Sequence, residues 1–325
     1  MTEKWHFLKG YINPHQKELK RGFIHYLLWQ FGYYKDKELL EPIPEGFTFP
    51  NPLCQLDADQ PQVMWVNHSS YWLRLAGKNF LVDPIWSSRC SPCSFIGPSR
   101  HHPTSLTLEE LGRVDYVILS HNHYDHLDKK TVLLLHHLYP NITWIVPYKL
   151  KKWLIKTLPR LERGWVIELK WWEQFQSEEF TFTAVPAQHF SGRGLFDRNR
   201  TLWMGCVVES TRENKRFYFA GDTGYNPHDF KKIGERFVSM DLSLLPIGVY
   251  TPRKFMQPVH INPDEAVQIH QDVGSKLSIG GHWGTFKLSS DCITRPPYDL
   301  LCALEKKNCS WENFRVLCPG QKINW

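Results

Sequence analysis

The chain has 325 residues, 42% of them hydrophobic, a composition that supports a sizeable core and excludes wholesale disorder or a low-complexity fibre. Its net charge of +6 is spread without a long basic run, which argues against nucleic-acid binding but is compatible with weak attraction to anionic phospholipid. The eight cysteines show no disulfide framework, and the N-terminus lacks the apolar segment of a secretory signal. We therefore expect reduced thiols and a cytoplasmic location.

Residues 1–60 are predicted to form an N-terminal extension. Its segment 20–34 has apolar residues on one helical face, at Phe23, Ile24, Leu27, Leu28 and Phe31. Such a helix could dock on the core or a second subunit, or it could lie among lipid headgroups. The sequence favours docking. The proline-rich stretch EPIPEGFTFPNP then reads as a surface linker.

From residue 61 to residue 325, short strand-like segments alternate with helical patterns. VDYVILS (114–120) and ITWIVPY (142–148) are rich in β-branched residues, whereas KKTVLLLHHLY and NPDEAVQIHQDV have helical periodicity. The best uncharged run, 131–148, contains two histidines, a proline and an asparagine, and these are costly in hydrocarbon. We therefore predict one layered α/β domain without a membrane span, and we find no internal repeat.

The strongest chemical signal is SHNHYDHLD, residues 120–128, directly after an apolar strand. His121 and His123 occupy alternate positions of an extended turn, so their side chains can point the same way and bind one ion. Asp125 and His126 follow where the chain bends, and they can face a second ion. Imidazole nitrogens and carboxylate oxygens are ligands that zinc accepts in catalytic sites. This order of residues favours a metal site over a solvated polar loop.

Three later residues repeat this logic. His189, Asp222 and His282 each follow a predicted strand, and a glycine directly precedes Asp222 and His282. Each alone could be a surface histidine or a turn aspartate. Together they supply the ligands that a two-metal site still needs.

With this pattern of H-x-H-x-D-H followed by His, Asp and His, the chain resembles the metallo-β-lactamase superfamily. Within it, the chain is similar to the N-acylphosphatidylethanolamine-hydrolysing phospholipase D family, through HNHYDHLD, LLPIGVYTPRKFM, HINPDEA and GHWGTF. The similar segments cover about residues 61–290, and FSGRGLFDRNRTLW resembles bacterial members. The resemblance implies an αββα sandwich, in which two β-sheets are flanked by helices.

The resemblance also implies roles for the candidate residues. One zinc ion would be held by His121, His123 and His189, and the other by Asp125, His126 and His282. Asp222 would bridge both ions, and a metal-bridged hydroxide would attack the phosphorus of a phosphodiester.

Tyr124 and His260 would lie against the phosphate of the bound lipid. The alternatives are packing for Tyr124 and a place beside a helix cap for His260. Asp83 or Asp128 could orient a metal-bound histidine through its second ring nitrogen, and the sequence leaves that choice open.

The predicted function is that of a zinc phosphodiesterase of phospholipase D type. It would hydrolyse N-acylphosphatidylethanolamine to an N-acylethanolamine and phosphatidic acid, with two zinc ions as cofactors. The alternatives are a hydrolase of a soluble lactone or small phosphodiester, and a non-enzymatic scaffold. The expected partners are a phospholipid substrate and, through the N-terminal helix, a membrane surface or a second copy of the chain.

Overall fold

The computed structural model describes residues 4–6, 10–16, 33, 42–51, 56–57, 59–161, 163–194 and 196–325. Near the N-terminus, β1 (Lys4–His6) pairs antiparallel with β2 (Gly10–Ile12). The helix predicted over 20–34 lies outside these residues, apart from Tyr33, and stays a prediction.

In the described part of the chain, the first sheet has seven strands. Their spatial order is β16 (Lys322–Asn324), β3 (Gln62–Asn67), β4 (Ser70–Leu75), β5 (Lys78–Val82), β6 (Tyr116–Ile118), β7 (Thr143–Pro147) and β8 (Val166–Leu169). The pairs from β16 to β5 are antiparallel, and those from β5 to β8 are parallel. β16 is therefore an edge strand that pairs with β3.

The second sheet also has seven described strands. Their order is β15 (Phe314–Arg315), β14 (Ser275–Gly281), β13 (Met240–Pro246), β12 (Lys215–Phe219), β11 (Gly205–Ser210), β10 (Phe180–Val185) and β9 (Gln174–Gln176). The pairs from β9 to β12 are antiparallel and those from β12 to β15 are parallel. The two sheets therefore share one pattern of strand directions, but their antiparallel edge strands differ: β16 follows all other strands in the chain, whereas β9 directly precedes β10.

Six α-helices lie within the described ranges. They are α1 (Lys129–Leu138), α2 (Lys151–Thr157), α3 (Pro227–Phe237), α4 (Arg253–Met256), α5 (Pro263–Asp272) and α6 (Pro296–Lys306). Short 3₁₀ helices cover Glu109–Leu111 and Arg163–Trp165. No helix among the described residues is both long and apolar enough to cross a membrane.

Alternation along the strands sorts the apolar side chains into three layers. In β3, Val63 and Trp65 enter the core between the sheets, while Met64 and Val66 face the helical side. The outer layer of the first sheet includes α1 and α2, and that of the second includes α3, α5 and α6. The predicted αββα sandwich is confirmed.

The strand directions bring several strand ends to one edge. The antiparallel steps leave β3, β5 and β6 pointing the same way in the first sheet. By the same reasoning, β10, β12 and β14 share a direction in the second sheet. The polar residues that follow these six strands are therefore candidates for a common site.

Candidate metal centre

Every predicted ligand follows one of these six strands. His121, His123, Asp125 and His126 come after β6, His189 after β10, Asp222 after β12, and His282 directly after β14. The most deeply buried of them are at most 3% exposed, namely His121, His126, His189, Asp222 and His282. The structure brings all seven together.

Sharp turns follow three of the six strands. His68, Asp83 and His282 adopt left-handed backbone conformations, with φ of 43°, 38° and 62°. Non-glycine residues rarely do so, and such strain tends to occur at functional sites. Before His282 stands Gly281, where a Cβ atom would overlap the Tyr71 hydroxyl, so only glycine fits.

The first cluster consists of three imidazoles. His123 Nδ1 lies 2.8 Å from His121 Nε2 and 3.3 Å from His189 Nε2. The Nε2 atoms of His121 and His189 lie 3.9 and 3.7 Å from Asp222 Oδ2. These atoms form one pocket of nitrogen donors with a carboxylate at its edge.

The second cluster lies on the other side of the same carboxylate. His126 Nε2 is 3.1 Å from Asp222 Oδ2 and 3.4 Å from Asp125 Oδ2. His282 Nε2 is 3.1 Å from Asp222 Oδ1 and 3.5 Å from Asp125 Oδ2. Asp222 is therefore shared by the two clusters.

Unpartnered polar atoms show that a cation fits here. His126 Nε2, His282 Nε2 and Asp222 Oδ1 are buried and make no well-aligned hydrogen bond, although each nitrogen lies 3.1 Å from an Asp222 oxygen; buried polar atoms without aligned partners are costly. One donor atom from each of His121, His123 and His189 converges within 4.8 Å, and the same holds for His68, Asp125, His126 and His282. Imidazole and carboxylate donors of this kind form a metal-binding cluster.

The electrostatics of the two clusters differ. Burial holds the pKa of His121 and of His189 well below the usual range, and it lowers the pKa of His123 to about 4. Burial acts the same way on His282, but Asp222 and Asp125 outweigh it and raise its pKa to about 9. Burial thus favours neutral imidazoles in the first cluster, whereas the carboxylates of the second cluster favour a positive charge, which a bound metal ion would supply in place of a ring proton.

Asp83 orients one of the ligands from outside the cluster. Its Oδ2 accepts a hydrogen bond from His126 Nδ1 at 2.6 Å, and its Oδ1 accepts from the Ser120 backbone N–H at 2.7 Å. Asp128 instead caps α1, accepting from the backbone N–H of Lys130. Of the two aspartates that the sequence left open, Asp83 contacts a predicted ligand.

The two predicted substrate-binding residues contact different parts of the site. His260 Nδ1 is 3.9 Å from Asp222 Oδ2, and its ring centre is 5.1 Å from that of His189. Tyr124 is half-buried, and its hydroxyl donates to Arg193 O at 3.1 Å. The side chains of Asp125 and His260 are 14% and 12% exposed, so the cluster opens to solvent on this side.

His260 is not itself the helix cap. Asn262 caps α5 in a capping box with Glu265. Arg253 donates through Nη2 to both oxygens of Glu265 and through Nη1 to His260 O at 3.1 Å. The sequence segments PRKFM and HINPDEA thus form one network that holds the His260 backbone.

Two residues gain importance only in the structure. His68 follows β3, and its Nε2 lies 3.0 Å from Asp125 Oδ2. Arg193 was missed, although its place between two glycines soon after His189 is a signal in the sequence. Its side chain contacts the backbone of the loop that carries the ligands.

Comparisons with known proteins find a matching family model and similar proteins. The family model described as the beta-lactamase superfamily domain matches residues 78–283. The N-acyl-phosphatidylethanolamine-hydrolyzing phospholipase D 1 of Caenorhabditis elegans is 43% identical over 242 residues, which cover 73% of this chain and 67% of that protein. The mitochondrial N-acyl-phosphatidylethanolamine-hydrolyzing phospholipase D of Saccharomyces cerevisiae is 34% identical over 262 residues, 78% of this chain and 53% of that one.

A solved structure shares the fold. A metallo hydrolase from the archaeon Ignicoccus hospitalis superposes with a TM-score of 0.59 at 19% identity, covering 82% of this chain and 98% of that one. The architecture, the His/Asp cluster and the relatives lead to one assignment. The chain belongs to the beta-lactamase superfamily as a metal-dependent hydrolase, in the family that includes these two phospholipase D relatives.

Proposed function

We propose that the protein is a two-zinc phosphodiesterase of phospholipase D type. It would hydrolyse N-acylphosphatidylethanolamine to an N-acylethanolamine and phosphatidic acid. The observation that carries the proposal is the carboxylate of Asp222, which lies within 3.9 Å of donor nitrogens from both clusters. A shared carboxylate between two donor sets is the arrangement that a pair of ions needs.

The proposed ligands follow from the two clusters. His121, His123 and His189 would hold one ion, Asp125, His126 and His282 the other, and Asp222 would contact both. Bound zinc would supply a water of lowered pKa and positive charge against the phosphoryl oxygens. Asp83 keeps the Nδ1 proton of His126 occupied, so that its Nε2 lone pair faces the site.

Two side chains are proposed to receive the substrate phosphate on the open side. His260 lies beside Asp222, and its side chain is 12% exposed. Tyr124 lines a neighbouring cavity of about 340 Å³ that Arg89, Lys129 and Arg193 also line. These cationic side chains suit an anionic headgroup, and this supports a phospholipid over a neutral lactone.

The remaining proposals concern the whole chain. Residues 61–325 would form the catalytic domain and residues 1–60 an N-terminal extension. The described part of that extension contacts the site, since Asn13 Nδ2 donates to His189 O at 2.8 Å. A phospholipid substrate also requires peripheral contact with a membrane surface, and the helix proposed at 20–34 could provide this contact or a homodimer interface.

A product assay tests the function. Zinc-loaded protein is incubated with N-acylphosphatidylethanolamine vesicles, and N-acylethanolamine is quantified by mass spectrometry. We expect release by the wild type and none by Asp222→Asn, because the amide removes the charge that both ions share. Asp241→Asn is the matched control, since its carboxylate pairs at the surface with Lys276 and should leave turnover unchanged.

Metal analysis separates the parts of the proposal. Two zinc ions per chain without release of N-acylethanolamine would contradict the lipid substrate and leave the metal centre intact. Hydrolysis of soluble lactones or small phosphodiesters by the same preparation would then favour the alternative function.

A further inference from the structure

Two loops meet beside the metal centre, and one arginine joins them. Residues 122–127 carry three proposed ligands, and residues 190–194 follow a fourth, His189. Arg193 Nη1 donates to Asn122 O at 2.9 Å and to Leu127 O at 2.7 Å, with a longer contact of 3.5 Å to His123 O. One guanidinium nitrogen therefore contacts both ends of the ligand-bearing loop.

The contact is reciprocal. The Gly192 backbone N–H donates to Asn122 Oδ1 at 2.7 Å, and the Tyr124 hydroxyl donates to Arg193 O at 3.1 Å. The Arg193 guanidinium also lies 3.9 Å from the centre of the Tyr124 ring and 5.2 Å from that of Trp153. A planar, delocalised cation suits these ring contacts, whereas a lysine ammonium is a point charge without such a plane.

Backbone carbonyls accept the hydrogen bonds that the Arg193 guanidinium donates. No described carboxylate forms an ion pair with it, and Asp197 instead accepts from the backbone N–H groups of Arg193 and Gly194. Loss of the guanidinium would leave carbonyl groups of Asn122 and Leu127 without this donor. An unpaired buried polar group destabilises the conformation that holds it.

We infer that Arg193 is a positioning residue, which holds loop 122–127 in the shape that aims His123, Asp125 and His126 at the metal ions. The inference rests on the metal ligands of the proposed function but not on its lipid substrate. Outer contacts that orient ligands typically matter 10–100-fold for metal affinity or activity. Arg193 supports several ligands at once through the backbone on either side of them.

The test measures zinc affinity without substrate, by competition with a chromogenic chelator. We compare the wild type with Arg193→Lys and Arg193→Ala, and with Arg212→Ala as the matched control. Arg212 is exposed on the β11–β12 turn, and its Nη1 lies 3.7 Å from Glu179 Oε1. We expect affinity to fall at least about tenfold in both Arg193 variants and to stay unchanged in the control.

Chemical rescue separates positioning from general folding. Guanidinium at a non-denaturing concentration should restore part of the affinity of Arg193→Ala, while sodium chloride at equal ionic strength should not. Wild-type affinity in Arg193→Lys, or a loss that guanidinium leaves unrepaired, would overturn the inference. If Arg193→Ala fails to fold, Arg193→Lys decides alone.

Failures of the two proposals remain distinguishable. A wild type that binds zinc but releases no N-acylethanolamine contradicts only the substrate, because zinc affinity is measured in its absence. A wild type that binds no zinc would overturn both the proposed metal centre and the role of Arg193.

Discussion

Asp83 supports the metal centre through a predicted ligand and through the backbone that precedes it. One oxygen of Asp83 accepts a hydrogen bond from the ring of His126, and the other accepts from the backbone N–H of Ser120. One carboxylate therefore fixes both the orientation of a ligand and the start of the loop that carries it. Similarly, the ring of His189 is fixed by Val259 O, which lies 2.9 Å from its Nδ1.

Replacing Asp83 tests this outer contact. Asp83→Asn keeps the shape and tolerates the left-handed backbone at φ 38°, but it removes the charge facing His126. We expect zinc affinity to fall about 10–100-fold, measured by chelator competition. Asp128→Asn is the comparison, since that residue caps α1 and does not touch a predicted ligand; equal losses in the two variants would contradict a specific role for Asp83.

At the scale of the elements, the start of α5 positions His260. The Asn262 side chain accepts from the Glu265 backbone N–H, Glu265 accepts from the Asn262 backbone N–H, and Arg253 joins Glu265 to His260 O. The helix cap and the loop of His260, which we propose to bind the substrate phosphate, are therefore one structure. Loss of the cap should therefore lower the stability of the fold and weaken substrate binding together.

Asn262→Ala should lower the free energy of unfolding by about 1 kcal/mol, the usual cost of losing a cap, and should also raise KM because His260 loses support. The matched change is Asn226→Ala, which removes the cap of α3. That variant should lose similar stability, measured by urea unfolding, without the same rise in KM. An unchanged KM in Asn262→Ala would separate the cap from substrate binding.

At the scale of the whole molecule, aromatic packing joins the two sheets. Phe80 of the first sheet packs its ring 5.1 Å from Phe180 and 5.5 Å from Phe217, both in the second sheet. All three side chains are fully buried. Since the metal clusters draw their ligands from both sheets, this packing also sets the distance between the ligands.

Phe80→Ala should therefore destabilise the fold by about 3–5 kcal/mol, as large cavities in cores do. Phe95→Ala is the control, because that side chain is 80% exposed and its loss should change stability by no more than about 0.5 kcal/mol. Urea unfolding with tryptophan fluorescence measures both. A small effect at Phe80 would mean that the sheets repack around the gap.

Removal of the metal ions should weaken the connection between the two sheets. His121, His123 and His126 follow a strand of one sheet, while His189, Asp222 and His282 follow strands of the other. Bound ions would connect the two sheets, and a ligand that binds only the folded state raises its stability. We expect chelation to lower the Tm of the wild type, zinc to restore it, and Asp222→Asn to respond less; equal Tm values with and without chelator would contradict this connection.

The sequence by itself determined the fold class and brought the seven candidate ligands to notice. It could do so because these signals are local. Apolar segments alternate with helical patterns, and four ligand types fall within six residues after a strand. The three later ligands also stand at strand ends, and the parallel directions of those strands bring them to one edge.

Only the tertiary structure decided how the ligands are supported. Asp83 and His126 are 43 residues apart in the chain, and Arg193 and Asn122 are 71 apart. Neither pair has a spacing that a helix or strand period could reveal, because such contacts depend on which strands become neighbours. The choice of Asp83 over Asp128, the place of His68 beside Asp125 and the contacts of Arg193 therefore came from packing of the two sheets and their loops.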